Sequence, residues 1–328
     1  MDSGINLQAN SLDRFCPRIL MSNKRAGHLW GNSGSFLFLT SPFLLFWAFF
    51  WVVPLFTGVD LAMQESQQFS RSLPGTGYTH SPFSNFERAI NDPKFIHSLE
   101  NTSLFVGGSI LITLGLSFFL AISVYELNKK FQGICLFLLL IPSFALPGSL
   151  ATLFYLFFHG KSGALNQFLV IPLGFDPINW MMDPSWILPC LVLQAVWRWT
   201  GVITLVLYCG IRAIPHWQFE VARIEGATAL TKVRTILFPG TRHLLLFSGI
   251  FLLVDGVAAF SGAYNLLGGS GGVLDAGLLF VTYAYQVAFP GGSGRFDLPL
   301  ASAACVLVAG TTACFAWLLL RVRKRMGN

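Results

Sequence analysis

Six uninterrupted apolar runs dominate this 328-residue sequence, at 36–58, 104–125, 134–158, 186–208, 244–263 and 298–320. A bilayer core of about 30 Å takes about 20 residues of helix at 1.5 Å rise, so each run is long enough to cross it. Only two formally charged side chains, Arg198 and Asp255, fall inside the six runs. Backbone groups in hydrocarbon must be hydrogen-bonded within their own segment, which predicts helices. Charged residues make up 11% of the chain, less than half of the roughly 25% usual in soluble domains. A water-soluble fold is excluded, and the class expected is an all-α integral membrane protein with six transmembrane helices.

The formal net charge of +6 does not indicate a nucleic-acid binder, because of where the basic residues lie. Fifteen of them occupy residues 1–35, the turn at 126–133, the connection at 210–243 and the tail at 321–328, while five occupy the alternate connections. Lysine and arginine accumulate on the cytoplasmic side, so both termini are expected there. A seventh crossing at 273–289 would send Arg321, Arg323, Lys324 and Arg325 outside. That run also carries Asp275 and follows the glycine-rich 268–272, and it reads as an interfacial or re-entrant helix on the outer side. The expected organisation is a cytoplasmic tail over 1–35, a membrane domain over 36–320 and a short basic tail over 321–328. The first run lacks a cleavage pattern after it and is expected to stay as an anchor. Segment 60–101 is polar and is expected to be an outer loop rather than a folded domain.

The six cysteines form no CxxC pair and the six histidines no ligand spacing, so no disulfide framework or metal site is expected. The glycine run at 268–272 lacks the following Lys-Ser/Thr of a phosphate loop. Neither a catalytic constellation nor a cofactor site is expected in this chain.

The informative connection is 210–243. Pro215 suits a helix start, and Glu220 with Arg223 has the spacing of an i, i+3 pair. Trp217, Val221 and Ile224 share one face, with Phe219 and Ala222 beside it. Gly226 then interrupts the run before a second helical piece ending at Pro239. Two short helices meeting at a glycine, with an apolar face turned to the cytosol, call for a docked partner. The competing reading is an amphipathic hairpin lying on the membrane surface.

At these residues the sequence resembles the permease subunits of binding-protein-dependent ATP-binding cassette importers. Their loop signature runs Glu-Ala-Ala, three residues, Gly, nine residues, Ile, one residue, Leu-Pro. Glu220, Ala222, Gly226, Ile236 and Pro239 occupy signature positions, with Val221 for the middle Ala and Phe238 for the Leu. Gly163, Asn166, Trp180, Asp183, Trp186, Trp197, Gly201 and Pro215, then Gly268, Gly269, Tyr283, Tyr285 and Phe289, resemble the carbohydrate branch of that family, the maltose and glycerol-3-phosphate type. The resemblance covers roughly residues 35–322. It implies the type I importer-permease fold in the bacterial cytoplasmic (inner) membrane. The implied partners are a second, different permease subunit, two cytoplasmic ATPase subunits carrying ATP and Mg, and an extracytoplasmic solute-binding protein within reach of 60–101. The loop would sit in a cleft of the ATPase, and ATP-driven closure there would turn the spans from outward-open to inward-open.

In maltose-type subunits the solute touches the spans on either side of the loop. Carried over by the signature spacing, those positions are Arg198, Trp199 and Val202, then Leu252, Asp255, Gly256 and Ala259. The second set has the i, i+3, i+4, i+7 spacing of one helical face. A charge inside a span costs about 2.5 to 3.5 kcal/mol on insertion scales, so Arg198 and Asp255 need an explanation. Asp255 and Gly256 would let a hydroxylated solute approach, with the Trp199 ring offered to a sugar. Alternatively the two charges neutralise one another between packed helices, or Arg198 favours an anionic solute such as a phosphorylated polyol. A self-contained secondary transporter of a small polar solute remains the alternative function, since such carriers also use intramembrane carboxylates.

Overall fold

The computed structural model describes residues 33–64, 82–289 and 296–326. The expectations for residues 1–32 and 65–81 and for Arg295 lie outside the described residues. The chain divides into two compact units, Met1–Gly58 and Val59–Asn328. Helix α1 (Ser33–Trp47), in the first, runs through a π-helical turn at Ala48–Val52 into α2 (Val53–Ala62), whose last four residues belong to the second. Phe43, Phe46, Phe49 and Phe50 are exposed along it, as suits a helix solvated by lipid.

The second unit is entirely helical among the described residues. After a short helix, α3 (Ser84–Ile90), the long α4 (Pro93–Glu126) begins where Asp92 accepts a hydrogen bond from the Lys94 amide at 2.9 Å. Proline follows at the first helical position, where its missing N–H costs nothing. The same Asp-Pro device starts α7 (Pro184–Arg212), with Asp183 accepting from the Ser185 amide at 2.9 Å. Both helices therefore start earlier than their apolar runs.

Between them the run at 134–158 is not one straight span. It forms α5 (Lys129–Phe144) and α6 (Pro147–Phe157), bent by 99°. Pro147 has no N–H and forces Leu146 into an extended conformation, and Ala145 is extended with it. Among the described residues, five helices are long and apolar enough to cross a membrane, six if the bent pair is one span.

The outer stretch between α6 and α7 is organised by Asn166, which is completely buried. Its Nδ2 donates to the carbonyls of Gly160 (2.6 Å) and Ile178 (2.9 Å), and its Oδ1 accepts from the Ile178 amide (3.2 Å) and Trp180 Nε1 (3.0 Å). Every polar valence of that amide is used.

Helix α8 (His216–Ile224) is followed by α9 (Ala229–Lys232), a π-helical turn at Val233–Leu237 and α10 (Phe238–Val257). The second helical piece does not end at Pro239. It continues as one rod from Ala229 to Val257, because Pro239 sits in the first turn after the π-turn, where no amide is needed. At the other end the rod stops at Val257, six residues short of the apolar run. Phe260 takes a non-helical conformation before α11 (Ser261–Leu266).

The stretch at 273–289 holds a single 3₁₀ turn and α12 (Phe280–Ala288). Nine residues rise only about 14 Å, too little to span hydrocarbon. Rather than lying on a surface, α12 is buried against α4 and α13 (Leu298–Met326), with Tyr283 and Val287 fully enclosed. Its first amide, at Phe280, donates to Thr102 Oγ1 of α4.

Helix α7 is the centre of this unit, lying along α4 and against α5. The approach to α5 requires Gly201, since a Cβ there would run into the Leu139 carbonyl. Gly201→Ala is expected to cost about 3 kcal/mol, the upper range of overpacking because the obstacle is backbone. Gly115→Ala, where a Cβ meets open space, is expected to leave stability unchanged or slightly raised. Unfolding of the two purified variants in detergent checks the contrast.

Candidate functional site

Two regions carry the candidate residues. In the first, α7 and the end of α10 enclose a cavity of about 170 Å³. Arg198 and Trp199 line it from α7, Asp255 from α10, and Ala259 and Phe260 from the break after α10. Leu150, Leu191 and Leu279 supply apolar walls.

Within this cavity a single indole serves both intramembrane charges. Trp199 Nε1 donates to Asp255 Oδ2 at 2.7 Å. The Arg198 guanidinium lies over the Trp199 ring, 4.9 Å from its centroid, within the range of a cation–π contact. Phe251 fixes the indole from its edge at 4.9 Å. The structure records no direct ion pair between Arg198 and Asp255 among the described residues. Mutual neutralisation by contact is therefore not what holds them. Of the Trp199 ring expected to be offered to a sugar, one face carries Arg198.

The seven positions taken as solute-facing separate into two groups. Arg198, Trp199, Asp255 and Ala259 line the cavity; Val202, Leu252 and Gly256 do not. Leu252 is buried in a core with Ala121, Ile203 and Leu207, and a Cβ on Gly256 would come within 2.9 Å of Val106. Those two residues hold α10 against its neighbours. Ala259 reaches the cavity from the loop after the helix, so the four α10 positions do not share one helical face. Sequence reasoning missed Gln194, one turn before Arg198, which lines the cavity and is 5% exposed. Its signal was present: an amide at i−4 from the only charge in an apolar run.

The second region is the connection α8–α9. Helix α8 closes with a Schellman arrangement, in which the Ala227 amide donates to the Ala222 carbonyl at 2.8 Å and the Gly226 amide to the Arg223 carbonyl at 3.2 Å. Gly226 takes φ +70°, a left-handed conformation that other residues adopt only at a cost. Thr228 then caps α9 through the Thr231 amide.

Ala222 and Ile236 are buried and fix the loop to the bundle, and Phe219 stacks on Tyr125 of α4 at 6.1 Å. Glu220 and Val221 stay exposed, beside Trp217 and Ile224, the last 86% exposed. Glu220 meets His216 Nδ1 at 3.1 Å, not Arg223 as the i, i+3 spacing had suggested.

Comparison with known proteins places this geometry. The family model of the binding-protein-dependent transport system inner membrane component matches residues 113–328. The lactose transport system permease protein LacF of Rhizobium radiobacter is 23% identical over 249 residues, 76% of this chain and 81% of that protein. The arabinooligosaccharides transport system permease protein AraP of Bacillus subtilis is 28% identical over 247 residues, 75% of this chain and 76% of that protein. A solved chain from a bacterial alginate ABC transporter in complex with an alginate pentasaccharide-bound periplasmic protein shares the fold. The TM-score is 0.73 at 19% identity, over 89% of this chain and 94% of that one.

The Trp199–Asp255 bond is charge-assisted and partly buried, a class worth about 1.5–3 kcal/mol. A cycle of Trp199→Phe, Asp255→Leu and the double variant is expected to show a coupling energy in that range. Each single variant strands one partner of this bond and the double removes both. Reversible unfolding in mixed micelles supplies the measurement.

Proposed function

Since this chain belongs to the family of binding-protein-dependent transport inner membrane components, we propose that it is the permease half of an ATP-driven importer of a saccharide-class solute. The chain is accordingly a multi-pass protein of the cytoplasmic membrane and a transport subunit rather than an enzyme. The saccharide class is supported by the solutes named for LacF and AraP, and by a cavity offering acceptor and donor groups amid apolar walls.

One observation carries the mechanism. The α9–α10 rod is continuous from Ala229 beside the Gly226 turn to Val257, a helical run of 29 residues or about 43 Å, with Asp255 at its cavity end. The loop side chains Trp217, Glu220, Val221 and Ile224 form the knob that a cytoplasmic ATPase grips. Ala222, Gly226, Ile236 and Pro239 shape the lever behind it. A tilt imposed on the loop by ATPase closure is passed along the same continuous helix to its Asp255 end, which opens the cavity to one side and then the other.

ATP and Mg reside on two partner ATPase subunits, and no cofactor or metal is assigned to this chain. A second, different permease subunit completes the passage, and an external binding protein delivers the solute. With the loop in the cytosol, the excess of basic residues on its side puts both termini there as well.

Gly226 gives the test. A β-branched residue at φ +70° carries roughly 1–2 kcal/mol of strain but no collision, since nothing lies within 4 Å of the added Cβ. Gly226→Val is expected to leave the folded chain in the membrane while ATPase co-purification and ATP-dependent uptake fall together. Gly226→Asn, which tolerates the left-handed region better, is expected to fall less. Uptake by the wild-type chain with no ATPase attached would reject the proposal in favour of a secondary transporter.

A further inference from the structure

The cavity holds two hydrogen-bond donors that the protein leaves unused. Gln194 Nε2 and Arg198 Nε are both buried without a partner. They sit one turn apart on α7, so both face the cavity from the same side. Gly262 lies opposite the Gln194 amide, where a Cβ would approach Oε1 to 3.2 Å. Turning the amide over still leaves an N–H edge unpaired, because no other group bonds it.

Acceptors are fewer. Asp255 Oδ2 is already engaged by Trp199, which leaves Oδ1. Buried donors without partners are costly, and an unpaired guanidinium at membrane depth is costlier still. Unpaired donors of this kind are completed in other proteins by water, an ion or a ligand, and these two are the ones that line a cavity.

Resting on the reading that the solute crosses this cavity, we infer that α7 binds a saccharide unit bearing a carboxylate, with Gln194 as a specificity-determining residue beside Arg198. The guanidinium receives the carboxylate in the fork geometry that arginine matches and lysine does not. The Gln194 amide donates to the carboxylate or to the adjacent ring oxygen. Asp255, held on the far side by Trp199, accepts from the hydroxyls, so the acid edge of the sugar points to α7 and the hydroxyl edge to α10. Room is adequate: one water needs roughly 10–15 Å³ of such volume, so 170 Å³ takes about as many atoms as one hexose ring with its substituents. Neutral sugars satisfy the hydroxyl edge and leave the guanidinium unpaired. Cations are opposed by Arg198.

Trp199 touches both charged groups and reports on occupancy. The purified full chain is titrated at millimolar concentrations with galacturonate and, separately, galactose, and tryptophan emission is read against a Trp199→Phe control. Galacturonate is expected to give a saturable change at least about tenfold tighter than galactose. Arg198→Gln and Gln194→Leu are each expected to weaken it about tenfold, and Arg198→Lys less. Gln194→Glu keeps size and shape while replacing a donor with an anion, so it should abolish the response to galacturonate and retain any response to galactose. Equal response to the two sugars, no response to either, or an acid response that survives Arg198→Gln and Gln194→Leu overturns the inference. A parallel assay measures ATP-dependent uptake in proteoliposomes holding the complete transporter. Binding of the acid without ATP-driven uptake keeps the subsite and defeats the importer reading. Uptake of neutral sugars alone does the reverse.

Discussion

An ionised group at membrane depth must find its compensation among its immediate neighbours, and here two of opposite sign find it in the same side chain. Trp199 gives its N–H to Asp255 and its ring face to Arg198. The arrangement keeps both charges in the cavity rather than collapsing them into a pair. A direct Arg–Asp contact would use two N–H groups and both carboxylate oxygens and leave less for a ligand. Separation by an indole stabilises each charge partly, and the remaining valence of each faces the space between α7 and α10. The position of the indole is in turn a matter of helix packing: Phe251 on α10 fixes its edge, and α7 is fixed by the glycine contact at Gly201.

Holding α10 at the right height and rotation is therefore as important as the charges it carries. Leu252 and Gly256 do this by packing against neighbouring helices, although their spacing made them look solute-facing. The outer end is tied by polar bonds. Lys94 pairs with Asp275 at 3.0 Å, Asn101 donates to the Asp275 carbonyl at 3.0 Å, and Arg88 pairs with buried Asp297 at 2.8 Å. The first two join α4 to the strained turn at Leu274 and Asp275, whose φ values are both 56°, and the third joins α3 to the start of α13. The outer segments around α12 form a braced cap, and α9–α10 is the long element that continues into the loop.

The sequence displayed what depends on composition over a turn or more. Six apolar runs, the Asp-Pro starts at 92–93 and 183–184, and the glycine at 226 each have a local cause, and the structure realises each locally. Three things were not legible, for a common reason. The 99° bend at Ala145–Leu146 lies in a run as apolar before as after it, so hydropathy could not separate α5 from α6, although Pro147 marked the place. The end of α10 at Val257 has no proline to announce it, and the run stays apolar through 258–260. Whether Leu252 or Asp255 faces the passage depends on which helix lies opposite, and a helical wheel records direction without recording neighbours.

The π-turn at Val233–Leu237 bears on how motion crosses the membrane boundary. A π-turn widens the helix by one residue and weakens its ladder locally, so a rod containing one bends there more readily than elsewhere. This turn lies between the exposed α8 loop and the buried portion of α10, with Ile236 and Leu237 anchored in the bundle while Leu230 remains exposed. Bending at that point would dissipate a push from α8 unless the anchored residues carried it onward. Ile236 and Leu237 are buried within the weakened turn itself, so lateral displacement of α9 loads the core around α4 and α7 directly rather than only the axis of α10. Under the proposed coupling, force would reach the cavity from two sides, through Asp255 on the rod and through Arg198 and Gln194 on α7. Relative movement of these two walls changes the distance between the acceptor and the donors, and with it the affinity of the site. A lever that ended at Pro239, as the sequence alone suggested, could shift the helix but could not couple that shift to both walls.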